Sequence, residues 1–337
     1  MTTTTTSPIR RRAILAALPA AALATPALAQ RRWQPGDRFT IRIAASQPAQ
    51  PIYSISVAQK AIIERALPGV RVEVVATQGG IENANLIKAG DVEAANGNTA
   101  GAYSVHHGRF EAQGERPFRE LLSWMPGYDA PQGIIVNPNS PIRRFADLRG
   151  RRIALGPVGS GAEAVVTSTI RSLGMTDRDF GNVLRTDPRQ GFNSLAAGNV
   201  DAVIWGTAHP AGAITEQVTT RNVGFVSFTA EELAPVARDL PYINAARLPA
   251  GVYATQTAEM LWPSAGVHHW ISGRVPEELV YRATKAIWEA KDELVTRHVS
   301  QRLLSAEMVR AQAEMVPFHP GAARYFVEAG ILRNAQG

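Results

Sequence analysis

The sequence predicts an α/β protein of two lobes with a ligand cleft between them. Three observations carry this: a strand–helix alternation, its interruption and resumption midway along the chain, and a length of 337 residues that suits two lobes better than one core. Phe39 to Ala44 alternates apolar and polar residues as a first strand does. Tyr53 to Leu67 has helical spacing, and Pro68-Gly69 ends it. Val70 to Val75 is a second strand, and Ile81 to Lys88 a second helix stopped by Gly90. That rhythm predicts a parallel sheet covered by helices.

The rhythm resumes at the short apolar strand Gly133-Ile134-Ile135-Val136. Arg152 to Leu155 is a strand that leads through a glycine-rich turn into a helix ending near Gly174, and Ala202 to Trp205 leads into another after Pro210. Helices over 276–294 and 322–329 close the chain. The expected organisation is an export signal over 1–29, a first lobe begun by 36–135, a second lobe over 136–249, and a return to the first lobe over 250–337. In such a protein ligands sit at the carboxyl ends of the strands, in the cleft.

Composition removes whole classes of function. There is no cysteine, so disulfides, thiolate catalysis and cysteine-held metal sites are excluded. The net charge is +6, and three of those charges are Arg10, Arg11 and Arg12 in the expected signal, leaving +3 on a mature chain with dispersed arginines. A nucleic-acid partner would call for one concentrated basic face, so none is expected. No segment beyond the signal has the length of a membrane-spanning helix.

Enzyme patterns fail in turn. There is no His-Glu-x-x-His pair, the dinucleotide glycine spacing is unmet, and Ala162 and Glu163 stand where a phosphate-binding loop needs Lys and Ser or Thr. Ser160 lacks the flanks of a nucleophile elbow. The pairs His106-His107 and His268-His269 read as surface or packing residues, because sequence neighbours on a helix point about 100 degrees apart. No cofactor or metal is expected, and the chain reads as a binder without catalysis.

Two turns carry binding chemistry. Ser160-Gly161-Ala162-Glu163 reads as a capping box, Ser160 accepting from the backbone of Glu163 and Glu163 reaching back. The same glycine-rich turn leaves backbone N–H groups at the positive start of a helix, which suits a carboxylate. Thr77-Gln78-Gly79-Gly80 is a second turn of this kind, leading into a helix that presents Asn83 or Asn85 from one face and packs Ile81, Leu86 and Ile87 on the other.

In order and spacing, several segments resemble the TAXI family of solute receptors for TRAP (tripartite, ATP-independent, periplasmic) transporters. Thr77 to Leu86 is similar to that family's Thr-Gly-Gly-Ser-Val-Glu-Asn-Leu-Asn-Leu, and Leu155 to Gly161 to its Gly-Ala-Pro-Gly-Ser-Gly turn. Gly206 to Ile214 resembles its Gly-x-x-x-Pro-x-x-x-Ile, Leu248 to Tyr253 its Ile-Pro-Ala-Gly-Thr-Tyr, and Pro317 to Ala322 its Pro-Leu-His-Pro-Gly-Ala. The resemblance implies a type II periplasmic-binding-protein fold, two lobes joined by crossing hinge strands. It implies a small anionic solute, such as glutamate or a related dicarboxylate, and a TRAP permease as membrane partner. A ligand-sensing protein that presents its lobes to a signalling partner shares the fold and stays open, whereas the absent catalytic constellations disfavour an exported enzyme on this scaffold.

The sequence departs from the family at three pocket elements. Gln47 to Tyr53 keeps only the final tyrosine of a Gly-Gly-Thr-Tyr-Tyr loop, Asn98-Thr99-Ala100 replaces Gln-Ser-Asp, and Ala162 replaces a threonine. The expected solute-binding set is Gly79, Gly80, Ser160, Gly161 and Ala162 at the turns, Tyr53 as an aromatic wall, and Asn83, Asn98 and Thr99 as polar discriminators. Trp205, Thr207 and His209 complete it from the opposing lobe, His209 serving equally well as a cap for the helix after Pro210.

Export rests on Arg10-Arg11-Arg12, the uncharged stretch Ala13 to Leu28 and the small-x-small site Ala27-Leu28-Ala29. Arg11-Arg12-Ala13-Ile14-Leu15 resembles the twin-arginine pattern, with an ordinary Sec signal as the alternative. Periplasmic material is expected to begin at Gln30 on N-terminal sequencing; material still starting at Met1 would refute cleavage. Replacing Arg11 and Arg12 by lysine blocks export only on the twin-arginine route.

Overall fold

The computed structural model describes residues 33–333 except 47, 49, 78, 110, 111, 113 and 159. The expected signal segment, together with Gln78 and Gly159 of the two turns, lies outside the described residues. The chain opens with β1 (Phe39–Ala45), α1 (Pro51–Ala66), β2 (Val70–Ala76), α2 (Gly80–Ala89), β3 (Ala94–Asn98), α3 (Thr99–His107) and β4 (Leu121–Tyr128). It continues through β5 (Gln132–Val136), β6 (Arg152–Leu155), α4 (Gly161–Ser172), β7 (Asn182–Arg185), α5 (Pro188–Ala196), β8 (Ala202–Gly206), α6 (Gly212–Arg221), β9 (Gly224–Val226) and α7 (Ala230–Asp239). A hairpin-like pair follows, β10 (Asn244–Leu248) and β11 (Met260–Ser264), then β12 (Val267–Ser272), α8 (Glu277–Glu289), α9 (Lys291–Val295), α10 (Ala306–Met315) and α11 (Pro320–Glu328).

These strands make two five-stranded sheets, ordered β2-β1-β3-β12-β4 and β7-β6-β8-β5-β9, and a separate β10-β11 pair. Each sheet is therefore one lobe's framework. Both are mixed, where the sequence predicts a parallel sheet. The strand–helix units do pair in parallel, β1 with β2 and β3, and β6 with β7 and β8. The antiparallel members are the strands that cross over: β12 returns antiparallel between β3 and β4, and β5 enters antiparallel between β8 and β9.

The crossings also set where the lobes divide. The chain passes between sheets at residues 129–131 and again at 265–266. The first passage precedes β5, so the second sheet begins at Gln132 and not at 136. The second comes later than 250, because Tyr253, Trp262 and Ala265 are buried in the second lobe's core and Trp262 Nε1 donates to Val226 O at 2.8 Å. Propensity reasoning places the return at the Pro249-Ala250-Gly251 turn, but burial of Trp262 holds the next fifteen or so residues on the second lobe.

Between the crossings, Ser264 ties the two passages together. Its Oγ accepts from Ala130 N at 3.1 Å and donates to Asp129 Oδ1 at 3.4 Å. Burial pushes the Asp129 carboxyl above its ordinary range.

In the first lobe, Trp124 is wholly buried and its Nε1 donates to Thr284 Oγ1 at 3.1 Å, pinning α8 to β4. The predicted helix over 276–294 breaks at Ala290 into α8 and α9. The histidine pairs are packing residues, three of the four buried. His268 Nδ1 accepts from Gly127 N at 3.2 Å, and Gln59 Nε2 lies 3.1 Å from His269 Nε2 as its donor. Successive residues on β12 point to opposite faces, so the pair cannot share one metal.

Burial holds His268 and His269 neutral, each pKa pushed down to about 3 from 6.5. A group whose folded pKa is depressed takes up its proton more readily when unfolded, so folding stability falls as pH drops below 6.5. The loss is expected to reach about 2 kcal/mol per histidine by pH 5. Urea unfolding at pH 7 and pH 5 measures it, and His269→Gln should flatten that dependence. An equal slope in wild type and variant would show that His269 does not contribute.

Candidate functional site

Between the lobes lies a cleft of about 610 Å³. Its walls are built from helix starts. The N-cap residues of five helices line it: Gln50 of α1, Gly79 of α2 and Asn98 of α3 from the first lobe, and Ser160 of α4 and Asp187 of α5 from the second. In each case a strand ends at the cleft and the next helix begins there, with N–H groups of its first turn directed toward the ends of the strands.

Side chains cap three of these starts: Asn98 Oδ1 accepts from Gly101 N at 3.1 Å, Ser160 Oγ from Glu163 N at 3.2 Å, and Asp187 Oδ1 from Gln190 N at 3.1 Å. Gln50 and Gly79 supply no side-chain cap. At α4 the capping box is half formed. Glu163 does not reach back to Ser160, because it accepts from Arg185 Nε at 3.0 Å and Thr167 Oγ1 at 3.1 Å. The arginine's charge outcompetes a backbone N–H for the carboxylate. Glu163 is thereby drawn off the helix start, and the N–H groups of Gly161 and Ala162 have no acceptor among the described residues.

The two glycine turns meet across the cleft. Gly79 and Gly80 lie at φ of 81° and 60°, which side chains rarely adopt. A methyl group on Gly80 would stand 3.6 Å from Gly161 Cα, and one on Gly161 would collide with the Asn98 amide nitrogen. The lobes touch here, so the structure is a closed arrangement.

Of the residues expected to bind solute, Gly79, Gly80, Asn98, Ser160, Gly161, Ala162, Trp205 and Thr207 line the cleft together. Four do not. Tyr53 is one residue past Ile52, which lines the cleft in its place. Asn83 is wholly buried and donates to Ala44 O at 3.1 Å and Asn96 O at 2.6 Å, a strut where β1 and β3 diverge; Asn85, its alternative, is exposed. Thr99 Oγ1 donates to Tyr242 O at 2.9 Å and joins α3 to the second lobe. His209 is buried behind the wall, its Nδ1 2.7 Å from Tyr253 Oη and its Nε2 3.2 Å from Pro131 O. Burial lowers its pKa to about 4 and raises that of Tyr253 to about 12. It does not cap α6, whose N-cap is Ala211.

Several lining residues escape the sequence reading. Tyr128 and Gln132 flank the first crossing and form the floor, and Ser46, Val158 and Asp187 complete the walls. Burial pushes the Tyr128 hydroxyl pKa up. Asp187-Pro188 is legible in principle: Asp at an N-cap with Pro at the first helical position, shortly after a strand, is a helix-start signal. Gln132 leaves a fainter trace, a polar residue opening an otherwise apolar strand at the lobe break. Asp187 is the one charged side chain among the described residues that line the cleft. Among the described residues, no group of three or more His, Cys, Asp or Glu could hold a metal ion.

The sequence matches the model of the NMT1-like family over residues 43–330. Among solved structures, a TctC solute-binding protein from Polaromonas is similar at TM-score 0.53 and 14% identity, covering 85% of this chain and 98% of that one. The periplasmic aliphatic sulphonate binding protein SsuA from Escherichia coli is similar at TM-score 0.47 and 16% identity, covering 88% and 94%. At such identity the likeness to the Polaromonas protein speaks for the fold alone. Two sheets crossed twice, with helix starts facing one cleft, fit that likeness, and the match spans both lobes: the chain belongs to the NMT1-like family and has the type II periplasmic-binding-protein fold.

Proposed function

We propose that this protein is an extracytoplasmic solute receptor that captures a small organic carboxylate in the interlobe cleft, without chemically altering it, and delivers it to a TRAP-type permease. The carrying observation is the pair of helix starts at Gly80 and Gly161, which face each other across the cleft with free N–H groups at Gly161 and Ala162. A helix start carries about half a positive charge and open donors, which suits a carboxylate without any cationic side chain. The permease partner rests on the TAXI-like segments, Thr77 to Leu86 and Pro317 to Ala322 among them.

The lining also orders the candidate solutes. A dicarboxylate's second charge would meet no Lys or Arg among the described lining residues and would lie in the field of Asp187. A solute of the glutamate type, with a positive group beside its carboxylate, fits that charge better.

A thermal-shift screen against amino acids and dicarboxylates tests this reading. A true ligand at about 100 times its Kd adds roughly 2.7 kcal/mol of stability. Gly161→Pro then tests the turn. Proline fits the first position of α4, since Ser160 already has ψ of 149°, so the helix survives while the N–H donor is lost. Because any Cβ at this position meets the Asn98 amide nitrogen, Gly161→Ala, which keeps the N–H, is the control, and Gly161→Pro is expected to bind at least tenfold more weakly than that control. Ser160→Ala is expected to cost about 1 kcal/mol of stability through the lost cap. A Gly161→Pro protein that folds and binds as the Gly161→Ala control does would place the anion site elsewhere.

A further inference from the structure

Gln132 sits at the cleft floor, first in β5, beside the crossing that joins the lobes. It is 2% exposed, and its Nε2 donor is buried without a hydrogen-bond partner among the described residues. An unpaired buried donor is costly, and native structures keep few of them. The residue is also the partition between two spaces. On one side is the cleft; on the other is a void of about 10 Å³, walled largely by apolar side chains such as Ile134, Phe145 and Phe228. That void is at the lower limit for one water molecule. Its other polar liner, Thr169, already donates its hydroxyl to Val165 O at 2.9 Å. The Thr169 oxygen retains lone pairs but makes no bond to Nε2 here, which leaves an acceptor in the cleft as the partner to test.

We propose that Gln132 is a specificity-determining residue that donates from Nε2 to an acceptor atom at the buried end of the solute. The inference rests on the carboxylate reading above and adds to it: one end of the solute is held by the glycine turns, and the other end must present an oxygen or nitrogen acceptor. Rotation about the last side-chain bond of Gln132 turns the amide between floor and cleft without moving β5, whose backbone is held by pairing Gln132 with Gly206.

L-Glutamate, L-norvaline and L-ornithine test it, since they share one amino-acid end and differ at the other in being acceptor, apolar or donor. Titration of the wild-type protein should rank glutamate first, ahead of norvaline by roughly five- to tenfold in Kd, the effect of one hydrogen bond. In Gln132→Met that preference should collapse, while the ligand-free protein becomes more stable, because a buried orphan donor has been replaced by an apolar group of similar size. In Gln132→Glu the ranking should move toward ornithine. The paired signs, higher ligand-free stability with lost discrimination, separate ligand reading from a structural role, which would lower both. Loss of ligand-free stability in Gln132→Met, or an unchanged ranking in a folded variant, overturns the assignment. A wild-type protein that binds none of the three refutes the amino-acid form of the carboxylate reading instead, and the stability of Gln132→Met still decides whether Nε2 is an orphan.

Discussion

Parallel strands of both lobes end on the cleft, and the helices that follow them must start there. This one constraint organises the site. It brings five N-caps, at Gln50, Gly79, Asn98, Ser160 and Asp187, to one cavity. Each helix start contributes about half a positive charge that no proton can remove, because it belongs to the backbone, although salt screens it. The lining can then lack any cationic side chain among its described residues and still attract an anion. The caps regulate how much of that field is left open: Asp187 cancels it at α5, Ser160 consumes one N–H at α4, and Gly79 leaves α2 uncapped.

The fold was legible because its signals are local. Strand alternation in β1 and β2, the Gly stop after α2 and the apolar run of β5 are each read from a few neighbouring residues, and the structure places those elements within one or two residues of their expected bounds. The order of strands was not legible. Nothing near Val267 or Gln132 announces that β12 and β5 insert antiparallel into sheets begun by other units, since that is decided by partners far along the chain. The lobe boundary near 250 failed for the same reason: a proline–glycine turn is local, and the burial of Trp262 that overrides it is not.

At the site, turns were more legible than side chains: Asn98, Trp205 and Thr207 line the cleft, but Tyr53, Asn83, Thr99 and His209 do not. The glycine turns at Gly79-Gly80 and Gly161 announce themselves by composition, and both line the cleft. The polar residues around them were assigned by proximity in sequence, which does not say where a side chain points. Asn83 was drawn inward by the carbonyls of Ala44 and Asn96, and His209 by the hydroxyl of Tyr253. Glu163 was turned outward by Arg185. Each of these is a contact between residues separated in the chain, satisfying a buried or charged group that would otherwise be unpaired.

The bond from Thr99 to the Tyr242 carbonyl has a consequence for how tightly any solute is held. Together with the meeting of Gly80 and Gly161, it joins the lobes without using a solute atom. The fraction of empty protein already in the joined state is therefore set partly by residues outside the cavity. Apparent affinity is the cavity's own affinity scaled by that fraction, so a protein joined one-tenth of the time holds its solute about tenfold more weakly than its cavity allows. Changes at position 99 would shift affinity for every solute by one common factor. Changes in the lining would alter the ranking among solutes. Strength and selectivity thus sit on separate residues, and a lineage can adjust either one while the other stays where it was.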